Sequence, residues 1–108
     1  MAETKEKMVQ LQTMEQNLQI LLNQKQTFQT QIMEIDNALQ ELKKTNEQVY
    51  KIIGQIMIQA GKQETEKELE ERKKVLELRV KSIEKQESNI KEKANKLQEE
   101  LLKELKKQ

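Results

Sequence analysis

The apolar positions of this chain recur every three and four residues in two long stretches, and a short stretch between them breaks the rhythm. In the first, Leu11, Met14, Leu18, Leu21, Phe28, Ile32, Ile35, Leu39 and Leu42 share one seam, interrupted only by Lys25. A 3-4 spacing sustained over several heptads predicts a coiled-coil helix, here over about residues 4–44. Lys43 and Lys44 put positive charge at its C-terminal end, where the helix dipole favours it, and Thr45-Asn46 marks an exit. At about 1.5 Å per residue the helix would be roughly 60 Å long. Its flanks carry Gln10, Gln12, Gln16, Gln19, Gln24, Gln26, Gln29 and Gln31, good helix formers that stay solvated.

The second stretch predicts a helix over about residues 65–106. Its seam is Leu69, Leu76, Val80, Ile83, Ile90, Ala94, Leu97 and Leu101, with Lys73 and Glu87 as interruptions. Gly61 breaks the preceding segment, and Thr65-Glu66-Lys67-Glu68 reads as a capping box. Glu-to-Lys/Arg spacings at i, i+4 recur along it: Glu68/Arg72, Glu70/Lys74, Glu77/Lys81, Glu87/Lys91, Glu92/Lys96 and Glu99/Lys103. Each such pair contributes about 0.2–0.5 kcal/mol to a helix with little tertiary cover.

Between the helices, Val49-Tyr50-Lys51-Ile52-Ile53-Gly54-Gln55-Ile56-Met57-Ile58-Gln59-Ala60 is rich in β-branched residues and predicts two short strands. Gly54-Gln55 fits a type II′ turn, giving a hairpin over about 49–60. The reading puts Ile56, Ile58 and Ala60 on one face, with Val49, Ile53 and Met57 close to the other. A lone hairpin is marginal in water and its open edges invite pairing, so this one is expected to complete a sheet with other chains. The expected architecture is therefore mainly α: a long antiparallel two-helix coiled coil, joined by a short β-hairpin that completes an intersubunit sheet. No linker divides it, and residues 1–108 read as a single domain.

Near-symmetry about Gly54 sets Leu11 beside Leu97, Leu18 beside Ile90, Ile32 beside Leu76 and Leu39 beside Leu69. A register shifted by one heptad, Leu18 with Leu97 and Ile32 with Ile83, competes with it. In both, Lys25 and Glu87 fall within about a turn, which predicts a mid-seam salt bridge that limits slippage.

Composition narrows the function. Only 34% of residues are hydrophobic and 36% are charged, with a formal net charge of +1. Charges so evenly mixed give no field to attract nucleic acid or anionic lipid. There is no cysteine and no proline, so disulfides and thiolate metal sites are excluded. No apolar run approaches the roughly 18 residues of a membrane span, and the N-terminus does not read as a signal peptide. A cytoplasmic protein is expected. With no His and no Cys, carboxylates spread along solvated faces and no pocket expected in a two-helix coil, catalysis has no machinery. The reading is not an enzyme, with no cofactor and no metal. Tyr50 is read as a sheet side chain.

Apolar residues off the seam remain to be explained. Met8, Val9, Ile20 and Leu22 lie outside the first seam, and Leu102 and Leu105 outside the second. Antiparallel helices bring both chain ends together, far from the hairpin. Leu22, Leu102 and Leu105 either widen the core stripe or leave adaptable apolar surface at the free ends.

Helix, hairpin, helix, with Val49-Tyr50-Lys51-Ile52-Ile53-Gly54 entering the hairpin and the run from Leu76 to Glu87 (Leu-Glu-Leu-Arg-Val-Lys-Ser-Ile-Glu-Lys-Gln-Glu), resembles the beta-type subunit of archaeal prefoldin. The resemblance spans essentially the whole chain. Alpha-type subunits of that family carry two hairpins, whereas only one fits between residues 45 and 64. The family implies an ATP-independent chaperone, a hexamer of two alpha-type and four beta-type subunits. Its hairpins form a barrel and its coiled-coil tips capture non-native polypeptides for delivery to a group II chaperonin. On this resemblance Val49, Tyr50, Ile52, Ile53, Ile56 and Ile58 are the assembly residues. Met8, Leu11, Met14, Leu97, Leu101, Leu102 and Leu105 are the client-binding residues. The alternatives are a structural coiled-coil scaffold or spacer that oligomerises through its hairpin, and a helical hairpin that grips RNA. The even charge argues against the second, which calls for a basic stripe.

Overall fold

A computed structural model describes residues 2–107 of the chain. Its elements run α1 (Ala2–Lys44), β1 (Val49–Ile53), β2 (Ile56–Ala60) and α2 (Lys62–Lys106). Contacts divide them into two compact units, one of residues up to 26 with those from 80 on, the other Thr27–Arg79. In each unit a stretch of α1 pairs with a stretch of α2, as the apolar rhythm predicts.

The seam is where burial lies. Ile35, Leu42 and Leu76 in the hairpin-bearing unit, and Val80, Ile83 and Leu101 in the other, are the buried apolar residues, and every other seam position is half-buried, apart from the buried Glu87. Among the described residues no large side chain is sealed completely, as expected when two helices meet along one stripe with nothing on their outer sides. Phe28 is half-buried, with the Arg79 guanidinium 5.7 Å from its ring centre. Leu76, at 5% exposure, is better covered. Leu76→Ala should therefore cost about 3 kcal/mol, within the range for well-buried leucines, and Phe28→Ala less than the 3–5 kcal/mol of a fully buried phenylalanine. Thermal melts of the two variants, followed by circular dichroism at one concentration, check the order. The reverse order would place Phe28 in the core.

Ion pairs select between the two registers. In the hairpin-bearing unit Lys73 Nζ meets Asp36 Oδ1 at 2.6 Å. That contact suits the register with Ile32 beside Leu76, which puts Asp36 next to Lys73. The heptad-shifted register would set Asp36 opposite Arg79, six residues or roughly 9 Å of rise away. In the other unit Lys7 Nζ lies 3.4 Å from Glu100 Oε2, again too far along for the shifted register. Lys25 with Glu87 fits both.

The hairpin forms with the expected turn. Gly54 has φ of 60° and no described non-glycine residue has a positive φ, the type II′ signature of a positive first and negative second turn residue. Pairing runs Val49↔Ala60, Tyr50↔Gln59, Lys51↔Ile58, Ile52↔Met57 and Ile53↔Ile56. This corrects the face assignment. Directly opposed residues share a face and side chains alternate along a strand. Val49 and Ile53 thus join Ile56, Ile58 and Ala60, while Met57 joins Tyr50, Ile52 and Gln59.

Two further differences concern α2. It begins at Lys62, not Thr65, because the Gly61 carbonyl already accepts the first helical bond from Thr65 N at 3.0 Å. Thr65 therefore lies inside the first turn. Its hydroxyl donates to the same carbonyl at 2.7 Å, so no capping box forms. Second, none of the six anticipated i, i+4 pairs closes to a salt bridge. Glu68 turns to Lys51 and Glu87 to Lys25, and Lys73 with Glu77, at 3.9 Å, is the one intrahelical pair among the described residues. Exposed pairs gain little over hydration, and a cross-element partner wins.

Candidate functional site: an open hairpin and an apolar helix end

The residues expected to assemble the sheet, all on β1 and β2, come together in the unit 27–79. Lys43 and Lys44 close α1 and Thr45 N still bonds Glu41 O at 3.1 Å. Thr45 then caps the exit, its hydroxyl accepting from Glu47 N at 3.2 Å and its carbonyl accepting from Lys62 Nζ at 3.1 Å. That last bond ties the start of α2 to the end of α1, fixing where the hairpin emerges. Lys51 Nζ bonds Glu68 Oε2 at 2.7 Å and so ties one hairpin face to α2. On that face Val49, Lys51 and Ala60 are partly covered. The opposite face is bare: Tyr50, Ile52 and Met57 are all exposed, Ile52 at 69%. Ile53, Ile56 and Ile58 are exposed as well. The sheet holds only β1 and β2, so the outer edge of each strand has unpaired backbone donors and acceptors. Exposed apolar faces beside two open edges are a half-built sheet.

The same unit carries an open groove of about 750 Å³ along the helix pair, with Ile35, Val75 and Leu76 between Glu34, Arg72 and Arg79. It amends the expectation that a two-helix coil has no pocket.

The residues expected to bind client lie in the other unit, and the structure separates them into two sets. Met8, Leu102 and Leu105 are exposed by more than half, as is Val9. Leu11, Met14 and Leu97 are half-buried in the seam, and Leu101 is buried at 8% exposure. The exposed set offers apolar surface, whereas the seam set holds the two helix ends together. Leu22 is half-buried beside the seam, and Ile20 is exposed.

A polar clamp reinforces that end. Lys7 Nζ bonds Glu104 Oε1 closely and reaches Glu100, while the Thr4 hydroxyl donates to Glu104 Oε2 at 2.8 Å. The bond from Lys7, and then that from Thr4, hold the Glu104 carboxyl below its usual 4.5, and Glu104 in turn raises Lys7 above 10.5. A depressed carboxyl contributes stability above its ordinary value and loses it as pH falls through the folded one. The raised lysine contributes below 10.5 and loses its share only in stronger alkali. Hydrogen exchange at residues 3–10 and 98–106, corrected for intrinsic rate, should therefore speed up between pH 5 and 3. Glu104→Gln should flatten that dependence. An equal acid response in the variant would place the sensitive group elsewhere.

Lys25 Nζ meets Glu87 Oε1 at 2.8 Å inside the seam, with Glu87 only 7% exposed. The bond that Lys25 donates to Glu87 is the main cause raising the Lys25 pKa. A buried carboxylate needs its partner, so any register that parted Glu87 from Lys25 would strand a charge.

Comparisons with known proteins agree with this arrangement. The family model described as Prefoldin subunit matches residues 5–108. The prefoldin beta subunit from Thermococcus strain KS-1 superposes with a TM-score of 0.89 at 30% identity, covering 95% of this chain and 92% of that one. The prefoldin beta2 subunit from the same strain superposes with a TM-score of 0.74 at 19% identity, over 82% of this chain and 96% of that one, a likeness of fold. No curated protein sequence matches significantly. A barrel of this fold closes only between subunits, which explains why a single chain presents bare strand edges, and with one hairpin between two long helices the chain belongs to the prefoldin subunit family as a beta-type member.

Proposed function

We propose that the chain is a holdase subunit: it assembles through its hairpin, captures non-native polypeptides at its coiled-coil ends and delivers them to a group II chaperonin without ATP. The single observation that carries this reading is the division of labour between the two units. One ends in an apolar, edge-exposed hairpin, and the other carries exposed Met8, Val9, Leu102 and Leu105. We read residues 1–108 as one domain serving both tasks. The partner is an alpha-type subunit, in a hexamer of two alpha and four beta chains, with unfolded polypeptides as clients. Holding such clients takes many weak non-directional contacts, which several copies supply by multivalency. The described residues include no helix long and apolar enough to cross a membrane, and a cytoplasmic site of action fits a chaperonin partner. The reading includes no catalysis and no cofactor.

The test is aggregation of a chemically denatured, unrelated enzyme diluted into buffer with the assembled complex. Suppression without ATP, little changed by moderate salt, is expected, because screening acts on charges and hardly on apolar burial. An assembled complex that leaves aggregation untouched would make the chain a spacer.

A further inference from the structure

The glutamines of α1 take no part in the seam, the hairpin or the polar clamp. Between Met8 and Gln26 only Glu15 and Lys25 carry charge, and Lys25 is tied to Glu87 in the seam. Heptad phase places Val9, Gln12, Gln16, Gln19, Ile20 and Gln26 on the side of α1 turned from the seam, and all six are exposed. That strip has no charge. The outward positions of α2 in the same unit are different: Lys81, Lys85, Glu92, Lys96, Glu99 and Lys103 are interspersed with the uncharged Ser82, Ser88, Asn89, Asn95 and Leu102. Folding does not require the difference, since Gln, Glu and Lys have nearly equal helix propensity.

We propose that this outward strip of α1 is a contact surface for the extended backbone of a non-native polypeptide, read by carboxamides and without regard to charge. The inference rests on the holdase reading and adds which helix the client lies along. A carboxamide offers two donors and an acceptor. An extended chain offers unpaired N–H and C=O groups at every residue, so the match does not depend on client sequence. Gln12, Gln16 and Gln26 make no side-chain hydrogen bond with described residues and are available, whereas Gln19 donates to Asn23 at 3.1 Å. Val9 and Ile20, each 55% exposed, add apolar contact along the same line. The strip is continuous with exposed Met8 at the helix end. Charges in these places would select clients by sign and resist desolvation. A helix of another subunit is a poorer occupant, because its backbone groups are already paired internally.

The test uses the complex assembled with its alpha-type partner and, as probe, reduced and carboxymethylated lactalbumin. A photo-crosslinking p-benzoylphenylalanine replaces Gln16, Lys85 or Leu105 in separate preparations. Crosslinks to the probe are expected from positions 16 and 105 and not from 85. Equal crosslinking from 16 and 85 would overturn the strip. Crosslinks from 105 alone would overturn it while leaving the holdase reading standing, and none from any position, with no holding, would overturn both. Independently, Gln12→Glu/Gln16→Glu/Gln26→Glu should weaken probe affinity about tenfold at unchanged helicity, as three modest hydrogen bonds are lost. The matching Gln→Lys triple should weaken it too, although the probe is acidic. Tighter binding by the lysine triple would show that charge is read, and would overturn the proposal.

Discussion

A chain carrying Ile53→Asp and Ile58→Asp should yield no hexamer with an alpha-type partner, while its helical circular dichroism stays close to that of the native chain. Both isoleucines lie on one hairpin face, opposite Ile56 and Lys51 respectively, and both are exposed in the single chain. The substitutions therefore cost the isolated chain little. In a closed barrel the carboxylate at 53 would be buried opposite Ile56 with no partner, and the one at 58 would have only Lys51, which is already bonded to Glu68. Burying such charges costs several kcal/mol per group, repeated in every copy. The seam residues lie on the helices and are untouched, so helicity should survive. Size-exclusion chromatography and native mass measurement read the outcome. A double variant still hexameric would mean that the hairpin does not close the assembly.

The second large effect belongs to the free ends. Met8→Ser, Leu102→Ser and Leu105→Ser together should leave the hexamer intact but sharply reduce its hold on a denatured client, because apolar burial scales with the area available. Substitution is cleaner than deleting residues 1–10 and 101–108. Deletion would also remove buried Leu101 and the clamp of Lys7 with Glu104, and so would open the helix pair itself. The three substituted side chains are each more than half exposed and make no seam contact that burial would reveal. Full holding activity in the triple variant would move the client off the ends and onto the helix flanks.

Much of this fold is legible in the sequence, because a two-helix seam has a single rule. Every position assigned to the seam from spacing alone is at least partly covered, including the polar ones at Lys25, Lys73 and Glu87. The hairpin is legible for a similar reason: β-branched residues around one glycine leave little choice of turn. Side chains whose partner depends on another element are harder. Lys51 with Glu68 and Lys73 with Asp36 need the register before they can be named, and spacing alone left two registers open. The clamp did leave a signal. Carrying the seam outward from Leu11 gives Lys7 and Thr4, and from Leu101 it gives Glu104, the three residues that bond. The start of α2 was obscured by Thr65, which satisfies a capping pattern yet lies in a helix already begun at Gly61. Among the residues proposed to bind client, spacing cannot rank exposure. Leu101 and Leu102 look alike as letters, and one is buried while the other is 58% exposed.

The most direct test of the account is native mass spectrometry of this chain mixed with an alpha-type subunit and one denatured client, without nucleotide. The account predicts a complex of two alpha and four beta chains that also appears with the mass of a bound client, and that loses the client, but not the hexamer, when Met8, Leu102 and Leu105 become serine. A hexamer that never carries client, or a client carried equally well by the triple-serine complex, would contradict it.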